Sequence, residues 1–162
     1  NHDERRAIAR FGEKGALAAQ ALAFTLDGVP MFYNGMETGD TTESGAPALF
    51  EKMPIFWQFA ERRSEFPKFY KGMIDLRKNS VALRRGDLTW LKNSDEARIL
   101  TFKRTAGNEQ IIVTINMTNA PFFGSVEIAG NFEEITPNTE KRSVGLPSVN
   151  LEAFEFRIFK KK

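Results

Sequence analysis

The chain has 162 residues, with 23 lysines and arginines against 21 aspartates and glutamates and no cysteine. A net charge of +2 raises no broad field for nucleic acid or an anionic membrane, and no apolar run is long enough to span a bilayer. The absence of cysteine excludes a disulfide scaffold and a thiolate metal site but leaves the compartment open.

In chain order, residues 4–11 read as a loop or short helix leading into residues 15–26, which are apolar nearly all the way round. A helix with no wet face is packed on several sides. Asp27-Gly28 ends it, glycine tolerating the left-handed terminal conformation. The run Val29-Pro30-Met31-Phe32-Tyr33 is short and apolar without alternation, which predicts a parallel strand covered on both faces. Pro30 at its start costs little, because a first residue need not donate to the ladder. Helix, turn and buried strand together form a unit of an α/β barrel or doubly wound sheet.

Residues 38–54 turn to Gly, Thr, Ser, Asp and Pro, an irregular loop. Residues 50–63 carry Pro54-Ile55-Phe56-Trp57, where a short helix is expected and Trp57 reads as an aromatic anchor rather than a sugar-stacking ring. Pro67 suits a first helical turn, and Phe66, Phe69, Tyr70, Met73 and Leu76 recur at helical spacing. Lys71, Arg77 and Lys78 are expected in water, the last two favoured by the helix dipole, with Asn79 as cap. A domain boundary is expected between residues 80 and 86. From Asp87 the period becomes two, and residues 88–91, 98–104, 110–117, 124–129 and 151–159 read as strands. In the last, Phe154, Phe156 and Ile158 point one way and Glu155 and Arg157 the other. Turn signals at Asn93-Ser94-Asp95, Ala106-Gly107-Asn108 and Asn119-Ala120-Pro121 complete the pattern of an antiparallel sandwich.

Asn1-His2-Asp3, with Arg6 close behind, and the run Gly28-Val29-Pro30-Met31-Phe32-Tyr33-Asn34-Gly35-Met36-Glu37 resemble the last third of an α-amylase-family glycoside hydrolase. The resemblance continues in order through Phe69-Tyr70-Lys71, Leu76-Arg77-Lys78 and Ala82-Leu83-Arg84-Arg85-Gly86. It implies an α/β fragment, residues 1–80, holding the last helices and strand of a (β/α)₈ barrel. An all-β antiparallel sandwich, residues 81–162, would follow. A complete barrel needs about 250 residues. The chain also starts with Asn inside a motif, so a fragment is expected.

Retaining cleavage of a glycosidic bond needs a carboxylate nucleophile and a carboxylic acid about 5–5.5 Å apart. The resemblance implies that both lie on missing upstream strands, so the fragment alone is expected to be inactive. What remains is Asp3, the family's third carboxylate, which stabilises the transition state, and His2, which contacts a hydroxyl of the same sugar. By composition alone, an Asp in this position would be a solvated acid or a helix cap. Arg6 matches a family arginine for which an ion pair is a better reading than substrate contact. Glu37 matches a frequent family acid, and bracing its loop through backbone hydrogen bonds is a better reading than the substrate contact that the resemblance also allows for it and for Arg6. Met36 departs from the family, which usually carries Gln or Glu there. His2 is the only histidine, so no His-based metal pair exists.

No cofactor is expected in this fragment; calcium in the parent enzyme would draw on parts outside it. The implied partners are an α-glucan or oligosaccharide and the missing amino-terminal barrel portion. The open barrel edge at residues 29–33 is expected to be covered by self-association or loop rearrangement. Rival readings are a transglycosylase of the same family and a non-catalytic carbohydrate-binding or packing β-sandwich module. Trp90, Phe122 and Phe123 could stack on sugars, although alternation places most strand aromatics in the core. The sequon Asn116-Met117-Thr118 reads as incidental, and Lys160-Lys161-Lys162 as a solvated terminus.

Overall fold

Alternation from residue 87 onward yields six strands: β1 (Asp87–Trp90), β2 (Ile99–Ala106), β3 (Glu109–Asn116), β4 (Phe122–Glu134), β5 (Arg142–Leu151) and β6 (Phe156–Lys161). The computed structural model describes residues 4–42, 52 and 54–162. All strand pairs are antiparallel, in the order β1-β2-β3-β6-β4-β5. The sandwich expected from the sequence is therefore one continuous sheet that curls on itself. Strand β6 pairs with both β3 and β4 and so joins the two halves. The curl is closed where Ser94 N donates to Ser125 O (3.0 Å) and Glu127 N to Lys92 O (2.8 Å). Here β4 shifts register between Ser125 and Gly130, as a bend in a long strand requires.

Period two sorts the side chains into two cores. Ile99, Ile112, Phe132, Val149, Leu151 and Phe159 fill the inside of the curl. Phe102, Ile111, Val113, Ile115 and Ile158 face outward, under the helices. The opposed directions of Ile158 and Arg157 agree with the alternation read for the last strand. That strand is shorter than expected, however. Residues 152–155 form a turn, in which Phe154 takes φ 55° and its N donates to Thr118 O (3.0 Å). Leu151 consequently ends β5, a strand that sequence reading missed because Gly145 and Pro147 interrupt its pattern. The β2–β3 hairpin turns at Gly107-Asn108, with Gly107 at φ 56° as a two-residue loop demands. Phe122 belongs to the core, whereas Phe123 is 71% exposed. Asn116 is buried, its amide donating to Ala120 O (2.6 Å) and Glu152 O (2.9 Å), so the sequon is closed to modification in the folded chain.

The helices lie on the outer face. They are α1 (Ala7–Thr25), α2 (Gln58–Arg62), α3 (Glu65–Asn79) and α4 (Val81–Arg85). Gly12 (φ 72°, ψ 174°) breaks α1 near its start, and beyond it Ala16, Ala18, Ala21 and Phe24 are buried. The spacing of α3 buries Phe66, Phe69, Tyr70 and Met73, as expected. Helix α4 occupies the stretch read as a boundary. Ser80 Oγ caps it by accepting from Leu83 N (3.1 Å), and Glu109 Oε2 accepts from Ala82 N (2.7 Å). Burial pushes the Glu109 carboxyl upward, but the Ala82 amide, Lys160 and the Ser80 hydroxyl outweigh it and hold its pKa below the usual value.

Two expectations fail. Residues 29–33 form no strand, and none pairs with them among the described residues. Val29 is 94% and Met31 65% exposed; Pro30, Phe32 and Tyr33 are half-buried, the Phe32 ring 4.8 Å from the Tyr70 ring centroid. A parallel strand exists only with a neighbour on its ladder, and loop rearrangement supplies no cover here. Trp57 is 60% exposed, and most of the loop it was expected to anchor lies outside the described residues; the ring pair beside it is Phe56 with Phe59 at 6.0 Å. Arg77 is buried, not in water.

The reason for that burial is the carboxyl end of α1. The last carbonyls of a helix have no partner in the helix and carry its negative pole. Arg77 donates to Phe24 O (2.7 Å) and Leu26 O (3.1 Å), and also to Gly28 O. From the sheet, Arg104 donates to Thr25 O (2.8 Å) and Gly86 O (2.8 Å). Desolvation lowers the pKa of both guanidiniums; the Arg104 charge adds to the effect at Arg77, while Asp27 and Asp87 offset it at Arg104. Arg104→Ala would leave two carbonyls unbonded and a void behind them. It should cost about 3 kcal/mol or more in urea denaturation, with Arg104→Lys restoring less than half. An Arg104→Ala chain as stable as the parent would refute the clamp.

Candidate functional site

Two of the four residues singled out for the site, His2 and Asp3, lie outside the described residues. The other two, Arg6 and Glu37, are brought to one turn. Gly35 (φ 89°) and Gly39 (φ 68°) bracket a 3₁₀ turn at Met36–Thr38 and supply the left-handed conformations it needs. Thr38 Oγ1 donates to Gly35 O (2.9 Å), and Asp40 N donates to the same carbonyl (3.0 Å). Glu37 Oε2 accepts from Gly35 N (2.8 Å), the backbone brace expected of it. Burial pushes the Tyr70 hydroxyl far above its ordinary pKa, and the charge of Glu37 adds to the effect. Met36, the departure from the family pattern, has its sulfur 3.2 Å from Tyr33 N, which donates to it.

Arg6 fastens this turn to the start of α1. Its guanidinium lies 4.7 Å from the Tyr33 ring centroid, donates to Asn34 O and sits 3.5 Å from the buried carboxylate of Asp40. A Cβ at Gly35 would come within 3.0 Å of the Arg6 guanidinium and 3.2 Å of the Asp40 carboxylate. Sequence reading missed Asp40 and Arg63. Arg63 donates to Gly39 O (3.1 Å) and to Glu13 (2.7 Å), tying α2 to both. The paired glycines were the available signal, since they announce a tight turn whose neighbours must approach closely.

Beside the turn is a cleft of ≈ 200 Å³ lined by Arg6, Arg10, Gln20, Met31, Tyr33 and Met36 among others. Gln20 Oε1 and Arg6 Nε are buried there without a partner among the described residues. Glu4, the one carboxylate among the described lining residues, is ion-paired with Arg10 at 3.2 Å, so they offer no pair of carboxyl groups for general acid and nucleophile. Among the described residues no group of three or more His, Cys, Asp or Glu could hold a metal ion, and no step below uses one. No described helix is long and apolar enough to cross a membrane.

No family model matches the chain. It is 36% identical over 95 residues to a cyclomaltodextrinase of Geobacillus thermopakistaniensis, covering 59% of this chain and 16% of that protein. It is 30% identical over 122 residues to the intracellular maltogenic amylase of Bacillus subtilis, covering 74% and 20%. Among solved structures, the noncanonic maltogenic α-amylase AmyB of Thermotoga neapolitana superposes with TM-score 0.77 at 17% identity, over 99% of this chain and 39% of that one. An isomaltulose synthase of Klebsiella sp. LX3 gives TM-score 0.74 at 20% identity, over 99% and 41%. The chain thus spans about a fifth or less of these curated relatives and about two fifths of these solved structures.

Because Arg6 and Gly35 meet at one point, their substitutions should couple. Arg6→Ala strands the buried Asp40 and is expected to cost about 3 kcal/mol in urea denaturation. Gly35→Ala, forced to a positive φ, should cost about 1–2 kcal/mol. The double variant should lose clearly less than the sum; strict additivity would show that the two do not share one constraint.

Proposed function

The chain is related in sequence and in fold to the α-amylase-family glycoside hydrolases, and from that premise we propose that it is the carboxyl-terminal portion of a retaining enzyme acting on α-glucosidic bonds of starch-like glucans or oligosaccharides. The observation that carries this reading is the Arg6 clamp. It ties Arg6, three residues after Asp3, to the Tyr33-Asn34 turn, which supports reading the family's two motifs as parts of one site.

In this reading residues 1–80 close a (β/α)₈ barrel whose nucleophile and general acid come from the rest of the polypeptide. As the glycosidic bond breaks, positive charge grows on the ring oxygen and anomeric carbon. Asp3 accepts hydrogen bonds from sugar hydroxyls that tighten only as the ring flattens, which raises turnover rather than ground-state binding. His2 donates to a neighbouring hydroxyl of the same sugar. Water then releases the covalent glycosyl intermediate; a sugar acceptor in its place would make the enzyme a transglycosylase.

The purified 162-residue chain should release no reducing sugar from maltodextrin above background; measurable hydrolysis would overturn the division of labour. In the longer polypeptide, Asp3→Asn should lower kcat by about 10²–10³ with KM little changed. Retention of full kcat would remove Asp3 from the mechanism.

In this reading Val29 and Met31, bare in the single chain, are where the rest of the barrel docks. Without it, two copies meet there. Sedimentation should show concentration-dependent association of the chain that Met31→Lys abolishes. A strict monomer at every concentration would contradict this.

A further inference from the structure

Strand β1 is a four-residue edge of the sheet, and Trp90 closes it. The indole packs against the buried Phe102 ring at 5.3 Å and 68°, an edge-to-face contact that fixes its orientation. Even so, Trp90 is 56% exposed. It walls a cleft of ≈ 190 Å³ with Leu91, Asn93, Glu96, Leu100 and Thr101. That volume is below the roughly 300 Å³ at which drug-sized sites begin, so it accommodates a single ring.

The floor of the cleft is already rigid. Asn93 spends its amide on Ile99 O (3.0 Å) and Thr101 Oγ1 (3.2 Å), and its Oδ1 accepts from Asp95 N (2.8 Å). Arg98 Nε donates to Asp95 Oδ2 (2.6 Å), and Leu91 N donates to Thr101 O (3.0 Å). A site with its turn already pinned loses little entropy on binding. Glu96 is different: it lines the cleft, is exposed, and its side chain has no hydrogen bond or ion pair among the described residues.

We propose that Trp90 and Glu96 form an accessory site for one glucose ring of an α-glucan, with the pyranose lying on the indole and a hydroxyl donating to the Glu96 carboxylate. A pyranose presents an apolar C–H face and a rim of hydroxyls, which matches a fixed aromatic wall beside one unpaired acceptor. A lone carboxylate is too few ligands for a divalent cation, which takes six or more oxygens. A purely apolar ligand would leave Glu96 desolvated and unpaired. The identity of the sugar rests on the glucan reading above, but the cleft shares no residue with the one at Arg6.

The test is titration of the 162-residue chain with maltoheptaose by calorimetry and tryptophan fluorescence. The chain has two tryptophans, so Trp57→Phe leaves Trp90 as the sole reporter. In that background the emission should change saturably with the sugar. Trp90→Ala should weaken binding by about tenfold or more, Trp90→Phe should retain most of it, and Glu96→Ala should weaken it about threefold. Unchanged affinity in Trp90→Ala, or no binding by the parent chain, overturns the site. Asp3→Asn separates this from the catalytic reading. Sugar binding that survives Asp3→Asn and is lost in Trp90→Ala supports the accessory site, whatever kcat does. The reverse pattern removes the accessory site and leaves the catalytic reading standing.

Discussion

The helical layer is held to the sheet by two buried cations at one helix end. The carboxyl terminus of α1 offers buried and half-buried carbonyls, and Arg77 and Arg104 satisfy them from opposite sides. A buried guanidinium is costly alone, yet it brings five donors in a rigid fork, so one side chain can close several backbone positions at once. Arg104 also bonds the carbonyl of Gly86, where the helical layer passes into β1. The same two residues therefore fix the end of α1, the seat of α3 and the entry into the sheet. Hydrophobic packing of Phe24, Phe102 and Met73 supplies the driving force. That force has no direction, and the arginine geometry decides which way α1 lies.

This is also why part of the fold was legible in the sequence and part was not. Helix α3 announced itself because burial and period agree along it, and strands β2 and β3 because their β-branched runs are bounded by the turn residues Asn93-Ser94-Asp95 and Gly107-Asn108. Strand β5 did not, since Gly145 and Pro147 break its alternation at the sheet's edge. Arg77 was misread because charge near a helix end ordinarily means solvent; only the position of α1, fifty residues earlier, turns it inward. Residues 29–33 were misread for the opposite reason. Their apolar character is a real signal of burial, but burial on a ladder needs a partner strand, and local sequence cannot say whether one is present.

For the candidate site, two local contacts were legible. Arg6 pairs with an acid and Glu37 braces its own loop, the readings that the resemblance favoured over substrate contact. The acid itself, Asp40, was not foreseen, because it follows a glycine in a stretch that reads as irregular loop. Its importance depends on the two left-handed glycines folding the chain back far enough for a residue of α1 to reach it. His2 and Asp3 stand on motif alone, adjacent in sequence to the clamp that the structure does describe.

A physical asymmetry follows. The curled sheet encloses its own core, and its faces are complete: one inside the curl, the other under the helices. The helical layer is complete only on its sheet-facing side. On its far side Val29 and Met31 stand in water, and the cleft at Arg6 opens between α1 and the same bare segment. Local stability should fall along that direction, from strands held on both edges to a segment held by Phe32 and the Arg6 clamp alone. Sites that must meet a substrate are drawn from the less stable end of a fold, and a partner docking on the bare segment would order the cleft as it covers the apolar residues. The sheet's role in such an arrangement is that of a fixed base, to which two buried arginines fasten the helical layer that lines the cleft at Arg6.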